Sequence, residues 1–266
     1  MLLVLDVGNT NVVGGLYDGA QIVARWRVSA DRDRTADELH VLWDGLLRAK
    51  GRSLADLRGA CVASVVPPLT ATYRQLLQES LGLPAVMLGP GADLGIVVDS
   101  ERPSEVGPDR IANTLAAREK YGAPAIVVDF GTATNFDVLS RQGSYIGGAI
   151  APGMAASMDA LVSRTSLLFR VPLTRPERAI GRSTVTCLQS GAFFGYVGLV
   201  EGIVDRMQDE LGGGATVIAT GGLASVIAPE TKRIHYLDPD LTLDGIRGVW
   251  ERNQPQAADP ARKQGT

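Results

Sequence analysis

A short polar turn that occurs twice carries the clearest chemical signal in the sequence. Asp-Val-Gly-Asn-Thr-Asn begins at Asp6, directly after an apolar run, and Asp-Phe-Gly-Thr-Ala-Thr begins at Asp129, directly after another. Gly8 and Gly131 would let backbone N–H groups approach phosphate oxygens, and Asp6 could hold a hydrated Mg²⁺ against a phosphate. One such turn alone is typical of an ordinary Asx hairpin. Two copies in matching context predict a pair of phosphate-binding turns.

A second candidate is the segment Gly107-Pro108-Asp109-Arg110, which is predicted to begin a helix. Pro108 suits the first helical position, and the helix dipole favours a carboxylate in the first turn without any catalytic role. The functional alternative is a base at Asp109 beside a fixed guanidinium at Arg110. A loose phosphoryl-transfer transition state requires little of the base beyond orienting the attacking hydroxyl, and Arg110 would pair with a carboxylate or phosphate. The local sequence leaves both interpretations open.

Two further segments have a structural and a functional interpretation. Thr184 precedes a long predicted helix over residues 185–211, where it either caps the helix or contacts a ligand. Glycines at positions 191, 195, 198 and 202 form a stripe on that helix, which predicts close packing on a sheet or a subunit interface. The glycine turn that begins at Thr220 would suit a nucleoside. No P-loop, dinucleotide-binding glycine motif or serine elbow accompanies these segments.

The elements that would position these residues are strands that alternate with helices. Apolar runs predict strands over residues 2–5, 12–17 and 21–28 in the first part of the chain and over 125–129 and 135–139 in the second. Thr35 and Glu38 predict a capping box before a one-sided amphipathic helix. Since each polar turn lies between two strands, the repeat predicts two α/β halves with the same topology.

Composition excludes several classes of protein. The chain has 266 residues, 45% of them hydrophobic and 21% charged, with a formal net charge of −3, so a basic nucleic-acid surface is not expected. Two cysteines are too few for a disulfide framework. The N-terminus lacks the pattern of a signal peptide, and we find no apolar run of about 18 residues that would cross a membrane. These features predict a cytoplasmic protein.

Five motifs together resemble the type III pantothenate kinases of the actin–hexokinase–acetate kinase superfamily. They are the two turns, the Gly-Pro-Asp-Arg segment, Gly-Gly-Ala-Ile-Ala-Pro-Gly at residues 147–153 and Ala-Thr-Gly-Gly at 219–222, and they occur in the family's order. The resemblance covers residues 1–250. It implies an α/β fold of two RNase H-like (actin-like ATPase) domains, 1–114 and 115–252, with a nucleotide cleft between them. The polar composition of residues 253–266 predicts a disordered tail.

The resemblance also implies an activity, which is ATP-dependent phosphorylation of pantothenate to 4'-phosphopantothenate, the first step of coenzyme A biosynthesis. It implies that Asp109 is the catalytic proton acceptor and that Asp129 holds a monovalent cation, K⁺ or NH₄⁺, in addition to the Mg²⁺ of ATP. It implies a homodimer whose interface completes the site. The implied ATP-binding residues are Asp6, Val7, Gly8, Asn9, Thr10, Asn11, Val12, Val13 and Thr132. The implied pantothenate-binding residues are Gly107, Pro108, Asp109, Arg110 and Thr184.

Three positions depart from the family pattern. Ser100 stands where a tyrosine is frequent, Asn135 where a threonine is usual and Phe169 where a proline is common. Two alternative functions stay open beside the main one. The first is a regulatory protein resembling Bvg accessory factors, although the intact Asp109 and both turns favour catalysis. The second is a kinase for another small hydroxylated acceptor.

Overall fold

The computed structural model describes residues 1–254, so the predicted tail over 253–266 lies almost entirely outside the described residues. Two five-stranded sheets form the centre of the protein. The strands of the first sheet are β1 (Leu2–Val7), β2 (Asn11–Asp18), β3 (Gln21–Ser29), β4 (Gly59–Ser64) and β5 (Ala85–Met87). The strands of the second sheet are β6 (Ala125–Phe130), β7 (Ala133–Leu139), β8 (Tyr145–Pro152), β9 (Thr216–Gly221) and β10 (Tyr236–Leu237).

The two sheets have the same topology, which confirms the predicted α/β fold with two similar halves. The strand order is β3-β2-β1-β4-β5 in the first sheet and β8-β7-β6-β9-β10 in the second. In each sheet the first three strands are antiparallel neighbours. The fourth strand pairs in parallel with the first, and the fifth pairs in parallel with the fourth. The polar turns therefore occupy equivalent positions, directly after β1 and after β6.

Seven α-helices connect and cover the sheets within the described residues. They are α1 (Ala36–Arg48), α2 (Pro67–Arg74), α3 (Pro108–Tyr121), α4 (Met154–Ser163), α5 (Thr184–Leu211), α6 (Ala224–Ile227) and α7 (Leu241–Arg252). The capping box of Thr35 and Glu38 is confirmed at the start of α1. Helix α5 spans the predicted range, but its N-cap is Ser183, whose side chain accepts a hydrogen bond from the Thr186 N–H. The capping alternative for Thr184 is therefore wrong, because Thr184 is the first helical residue.

Helix α5 packs one side against the second sheet. Phe193, Val200 and Val204 are among its buried residues and share a hydrophobic core with Val128 and Phe136 of the sheet. By length and hydropathy alone, α5 passes the test for a membrane-spanning helix, with a mean hydropathy of 1.3 over its most apolar window. Because its apolar stripe is buried against the sheet, we interpret α5 as a core helix of the second half.

The last helix of each half packs against the other half. Helix α3 follows the first sheet and contacts β6 and β7 of the second, whereas α7 follows the second sheet and contacts β1 and β4 of the first. The two helices also pack against each other, and a Cβ at Gly245 of α7 would collide with the carbonyl of Ala112 in α3. The predicted boundary at residues 114 and 115 falls inside α3 and stays a prediction.

Candidate active site

The two repeated turns lie next to each other across a cleft between the sheets. The Thr10 hydroxyl of the first turn and the Thr132 hydroxyl of the second are 2.9 Å apart and form a hydrogen bond. Gly8 N–H donates to the Asn11 carbonyl and Gly131 N–H donates to the Ala133 carbonyl, each at 3.0 Å. The first turn is therefore one residue longer than the second, although both bring threonine hydroxyls to the same point.

Asp6 and Asp129 form an acidic floor beneath these turns. Burial raises the pKa of Asp6 well above its usual value, and the charges of Asp109 and Asp129 raise it further. Burial raises the pKa of Asp129 to about 6, although a 3.0 Å hydrogen bond from the Asn113 side-chain amide opposes this. Because nearby carboxylates repel each other, this floor favours a bound cation or the uptake of a proton.

Glycine at position 221 leaves space beside Asp129. Gly221 ends β9 with a φ of +92°, a backbone conformation that favours glycine, and a Cβ there would lie 2.5 Å from Asp129 Oδ1. Within residues 1–254, no group of three His, Cys, Asp or Glu side chains is arranged to hold a metal ion. A cation at Asp129 would therefore need oxygens from the backbone, from water or from a bound substrate.

Asp109 lies in the first turn of α3 and faces the same cleft. Gly107 is the N-cap and Pro108 follows at the start of the helix, while Asp109 Oδ1 accepts a 2.9 Å hydrogen bond from the Arg110 N–H. Burial raises the pKa of Asp109, and this hydrogen bond opposes the rise. A Cβ at position 107 would overlap Asp109 Oδ1, so glycine is required for this side-chain position.

Arg110 is held by a carboxylate that the sequence analysis missed. Arg110 Nε donates to Oδ1 of Asp137 in β7 at 2.6 Å, and Asp137 is completely buried. The Arg110 guanidinium also lies 5.7 Å from the centre of the Tyr145 ring. The second carboxylate oxygen of Asp137 has no hydrogen-bond partner. The only sequence signal for this pair was a charged residue at a core position of a strand.

The structure brings most of the predicted site residues to this cleft, but in different ways. Val7 and Val12 are buried in the core of the first sheet, so only their backbone is available to a ligand. Asn9 is exposed, and its side chain accepts a 3.0 Å hydrogen bond from Arg32. Asn11 begins β2, and Val13 pairs with Asp6 across β1 and β2. The clustering of the turns supports a shared phosphate site.

Thr184 is separated from this cluster. It is exposed at the start of α5 and has no hydrogen bond to the acidic residues among the described contacts. Tyr196 of the same helix reaches the hydroxyl of Thr134, close to the second turn. From Tyr196 to Thr184 the helix extends about 18 Å along its axis. Within a single chain, Thr184 therefore projects away from the Thr134 side of the cleft.

The three departures from the family pattern differ in their surroundings. Ser100 has a buried hydroxyl oxygen without a hydrogen-bond partner, and Phe169 is half exposed at 50%. Asn135 of β7 pairs with Asp129 on one side and with Ile150 of β8 on the other, so the three side chains share one face of the sheet. Ile150 is 65% exposed on this face, which gives the cleft an apolar edge.

Comparisons with known proteins agree with this geometry. Residues 2–206 match the family Type III pantothenate kinase. The Type III pantothenate kinase of Moorella thermoacetica is 50% identical over 253 residues, which cover 95% of this chain and 100% of that protein. A protein of known structure from Campylobacter jejuni, described as a member of the Baf family of transcriptional activators, superposes with a TM-score of 0.61 at 20% identity and covers 94% of this chain and 98% of its own.

A second solved structure extends the fold comparison to a sugar-acid kinase. A protein from Sinorhizobium meliloti described as a 2-dehydro-3-deoxygalactonokinase superposes with a TM-score of 0.60 at 15% identity, covering 98% of this chain and 99% of its own. At these identities the two structural likenesses establish only the fold, which is the predicted α/β fold of the actin-like ATPases. The family match and the identity to the Moorella thermoacetica protein go further, and they establish that this chain belongs to the type III pantothenate kinase family.

Proposed function

We propose that the protein transfers the γ-phosphoryl group of ATP to the primary hydroxyl of pantothenate and forms 4'-phosphopantothenate, the first step of coenzyme A biosynthesis. The observation that carries this proposal is the position of Asp109 at the start of α3, close enough to the two turns for its charge to raise the pKa of both Asp6 and Asp129. A carboxylate at that place can orient an acceptor hydroxyl toward a phosphate bound between the turns. Family membership supports the choice of pantothenate as acceptor.

The nucleotide phosphates would lie between the two turns. Backbone N–H groups over residues 6–13 and the hydroxyls of Thr10 and Thr132 are the donors that this arrangement offers. Asp6 is suited to hold a Mg²⁺ through its water shell, since Mg²⁺ commonly binds one or two carboxylates together with substrate phosphates. When bound, Mg²⁺ neutralises charge on the phosphates.

The acceptor would lie between Asp109 and the outer face of β8. Arg110 is aligned by Asp137 and is suited to pair with the carboxylate of pantothenate through two parallel hydrogen bonds. Gly107 and Pro108 shape the backbone around Asp109. The exposed Ile150 provides an apolar contact for the methyl groups of the acceptor. In this arrangement the reacting hydroxyl of pantothenate would lie near Asp109, and its carboxylate would lie near Arg110.

Asp129 is the residue that we propose for a monovalent cation, K⁺ or NH₄⁺. The residues fit such an ion, because the carboxylate is fixed by Asn113 and the missing side chain of Gly221 leaves space beside Oδ1. A P-loop lysine is absent from the sequence, so another positive charge is needed to offset the triphosphate. A K⁺ bound there would supply that charge.

We also propose that the protein acts as a cytoplasmic homodimer. Gly191, Gly195 and Gly198 form an open stripe on α5, since a Cβ at each would meet no atom within 4 Å. This excludes close packing on the sheet as the reason for these three glycines. Ile180 is 84% exposed and Leu167 is 87% exposed in the segment before α5. A second copy would cover these surfaces and would bring Thr184 to the acceptor site of its partner.

The first test is ADP release by the purified protein with Mg·ATP and pantothenate, in parallel K⁺ and Na⁺ buffers. We expect release that depends on pantothenate and falls about tenfold or more when Na⁺ replaces K⁺, since the larger ion suits a site in which Asp129 is joined mainly by backbone, water and substrate oxygens. Equal rates in the two buffers would contradict the cation site at Asp129. No release in K⁺, with ATP still bound, would favour another hydroxylated acceptor or a regulatory role.

The dimer is tested by the exchange Gly195→Arg, measured by size-exclusion chromatography with light scattering. We expect the wild-type protein to show twice the 28.1 kDa mass of the chain and the variant to show a single chain mass. The matched control is Gly45→Arg in α1, because a Cβ at Gly45 also meets no atom within 4 Å. A Gly195→Arg protein that stays dimeric would show that this stripe lies outside the interface.

A further inference from the structure

Arg27 of β3 is aligned across the strands of the first sheet with Asp6 of the acidic floor. Asp6 of β1 pairs with Val13 of β2, and Val13 pairs with Arg27. Directly opposed residues of antiparallel strands point to the same face of a sheet, so Asp6 and Arg27 project on the same side. Their backbones are two strands apart, which corresponds to about 10 Å. The arginine therefore lies at the edge of the site and not inside it.

The Arg27 side chain reaches toward the other half of the protein. Its two terminal nitrogens lie 3.8 and 4.0 Å from the position that a Cβ on Gly222 would occupy. Gly222 directly follows β9, whose last residue borders Asp129. The guanidinium therefore stands between Asp6 in the first sheet and the glycine turn of the second, on opposite sides of the cleft.

Arg27 has no acidic partner that would explain this position. It is exposed, and within residues 1–254 no carboxylate lies within ion-pairing distance of its guanidinium. Arg25, two residues earlier on the same strand and face, differs in this respect. Its Nε donates to Asp240 Oδ1 at 2.5 Å, and a second bond completes a bidentate ion pair. One arginine of the strand is thus neutralised, and the other presents an unpaired charge at the cleft.

The charge of Arg27 acts on the floor of the site from a distance. It opposes the rise in the pKa of Asp6 and of Asp129, although it bonds to neither carboxylate. A triphosphate bound between the turns would bring further negative charge to a place that already holds three carboxylates. The positive charge of a guanidinium at this position would offset that repulsion.

We propose that Arg27 binds the phosphate chain of the nucleotide, as a fixed cation that the protein supplies in addition to the metal ions. The inference rests on the proposed nucleotide site and assigns a residue that the two turns do not include. The planar fork of arginine suits phosphate oxygens, and such contacts stabilise the charge of a transferring phosphoryl group. From β3, Arg27 closes the side of the phosphate site that faces Gly222.

The test measures nucleotide binding to the full chain by calorimetry, without pantothenate, using ATP, ADP and adenosine as probes. For Arg27→Gln we expect the affinities for ATP and ADP to fall about 10- to 100-fold, as for loss of a charged hydrogen bond. Adenosine should bind within twofold of wild type, because it has no phosphate for Arg27 to contact. Arg27→Lys should retain more ADP affinity than Arg27→Gln, since the charge remains and only the fork is lost.

The matched control is Arg25→Gln, which removes a charge from the same strand and face and should leave ADP affinity within twofold. Unchanged ADP affinity in Arg27→Gln would overturn the proposal. An equal loss of adenosine and ADP binding would also overturn it, because that result indicates a structural role. Failure of the wild-type protein to phosphorylate pantothenate would overturn the proposed acceptor alone, since these binding measurements contain no acceptor.

Discussion

Asp109→Asn should lower kcat for pantothenate phosphorylation by about 100-fold or more, within the range for loss of a general base. ATP affinity should change by less than about twofold. Asparagine has the shape of aspartate, and its Oδ1 can still accept the hydrogen bond from the Arg110 N–H. The exchange therefore removes the charge that we propose orients the acceptor hydroxyl, and it leaves the start of α3 in place. Steady-state kinetics and calorimetric ATP binding measure the two effects separately.

The pH dependence of the activity tests the role of Asp109 independently. Burial raises the pKa of Asp109, so its carboxylate takes up a proton at a higher pH than an exposed aspartate does. Activity should accordingly fall on the acid side at a pH above the usual aspartate range. Asp109→Asn should lose the part of this fall that Asp109 causes and keep the part due to the raised pKa values of Asp6 and Asp129. Asp18→Asn is a suitable control, because Asp18 is exposed at the end of β2 away from the turn. Turnover within a few-fold of wild type in Asp109→Asn would show that another group orients the hydroxyl.

Asp137→Ala should lower the free energy of unfolding by about 3–5 kcal/mol, the usual cost of removing one partner from a buried ion pair. Asp137 is completely buried, and the Arg110 side chain is only 14% exposed, so water replaces the lost carboxylate poorly. Urea denaturation without ligands measures this loss. The variant should also bind pantothenate more weakly, because the Arg110 guanidinium loses the contact that holds its position.

A double variant separates two causes of the stability loss in Asp137→Ala, the unpaired charge of Arg110 and the lost packing of the Asp137 side chain. Asp137→Leu combined with Arg110→Met removes both charges, and we expect it to recover more than half of the stability lost in Asp137→Ala. It should stay defective toward pantothenate, since no guanidinium remains. If Asp137→Ala unfolds within about 1 kcal/mol of wild type, the pair is hydrated in solution and does not position Arg110.

The turns and the strands before them could be predicted from the sequence because each signal is local. Asp6 and Asp129 each end an apolar run, and the repeat of strand, turn and strand identifies equivalent elements without any knowledge of packing. The capping box at Thr35 is equally local, since both hydrogen bonds join residues three apart. Asp109 and Arg110 were found for the same reason, at the first turn of a helix.

The other features of the fold and of the site could not be predicted, because they depend on contacts between segments that are distant in the sequence. Strand β8 contains Gly147 and Gly148 and resembles a loop, yet Gly148 lies so close to the Phe136 carbonyl of β7 that no Cβ fits. Asp137 pairs with Arg110 only because α3 packs against the second sheet and brings the Arg110 side chain to β7. Arg27 was not singled out either, because its relation to Gly222 exists only once the two sheets face each other.

The exchange of α3 and α7 between the halves bears on how the chain folds as it is synthesised. Leu243, Ile246 and Val249 of α7 belong to the same hydrophobic cluster as Val4 and Tyr17 of the first sheet. Domains commonly fold in order as they leave the ribosome, with the N-terminal one first. Here α3 covers only part of one face of the first sheet, and the rest of that face stays uncovered until α7 emerges, more than 100 residues after α3. Its apolar residues consequently stay exposed during synthesis for longer than those of an autonomous first domain would, and such exposed surface is prone to aggregate.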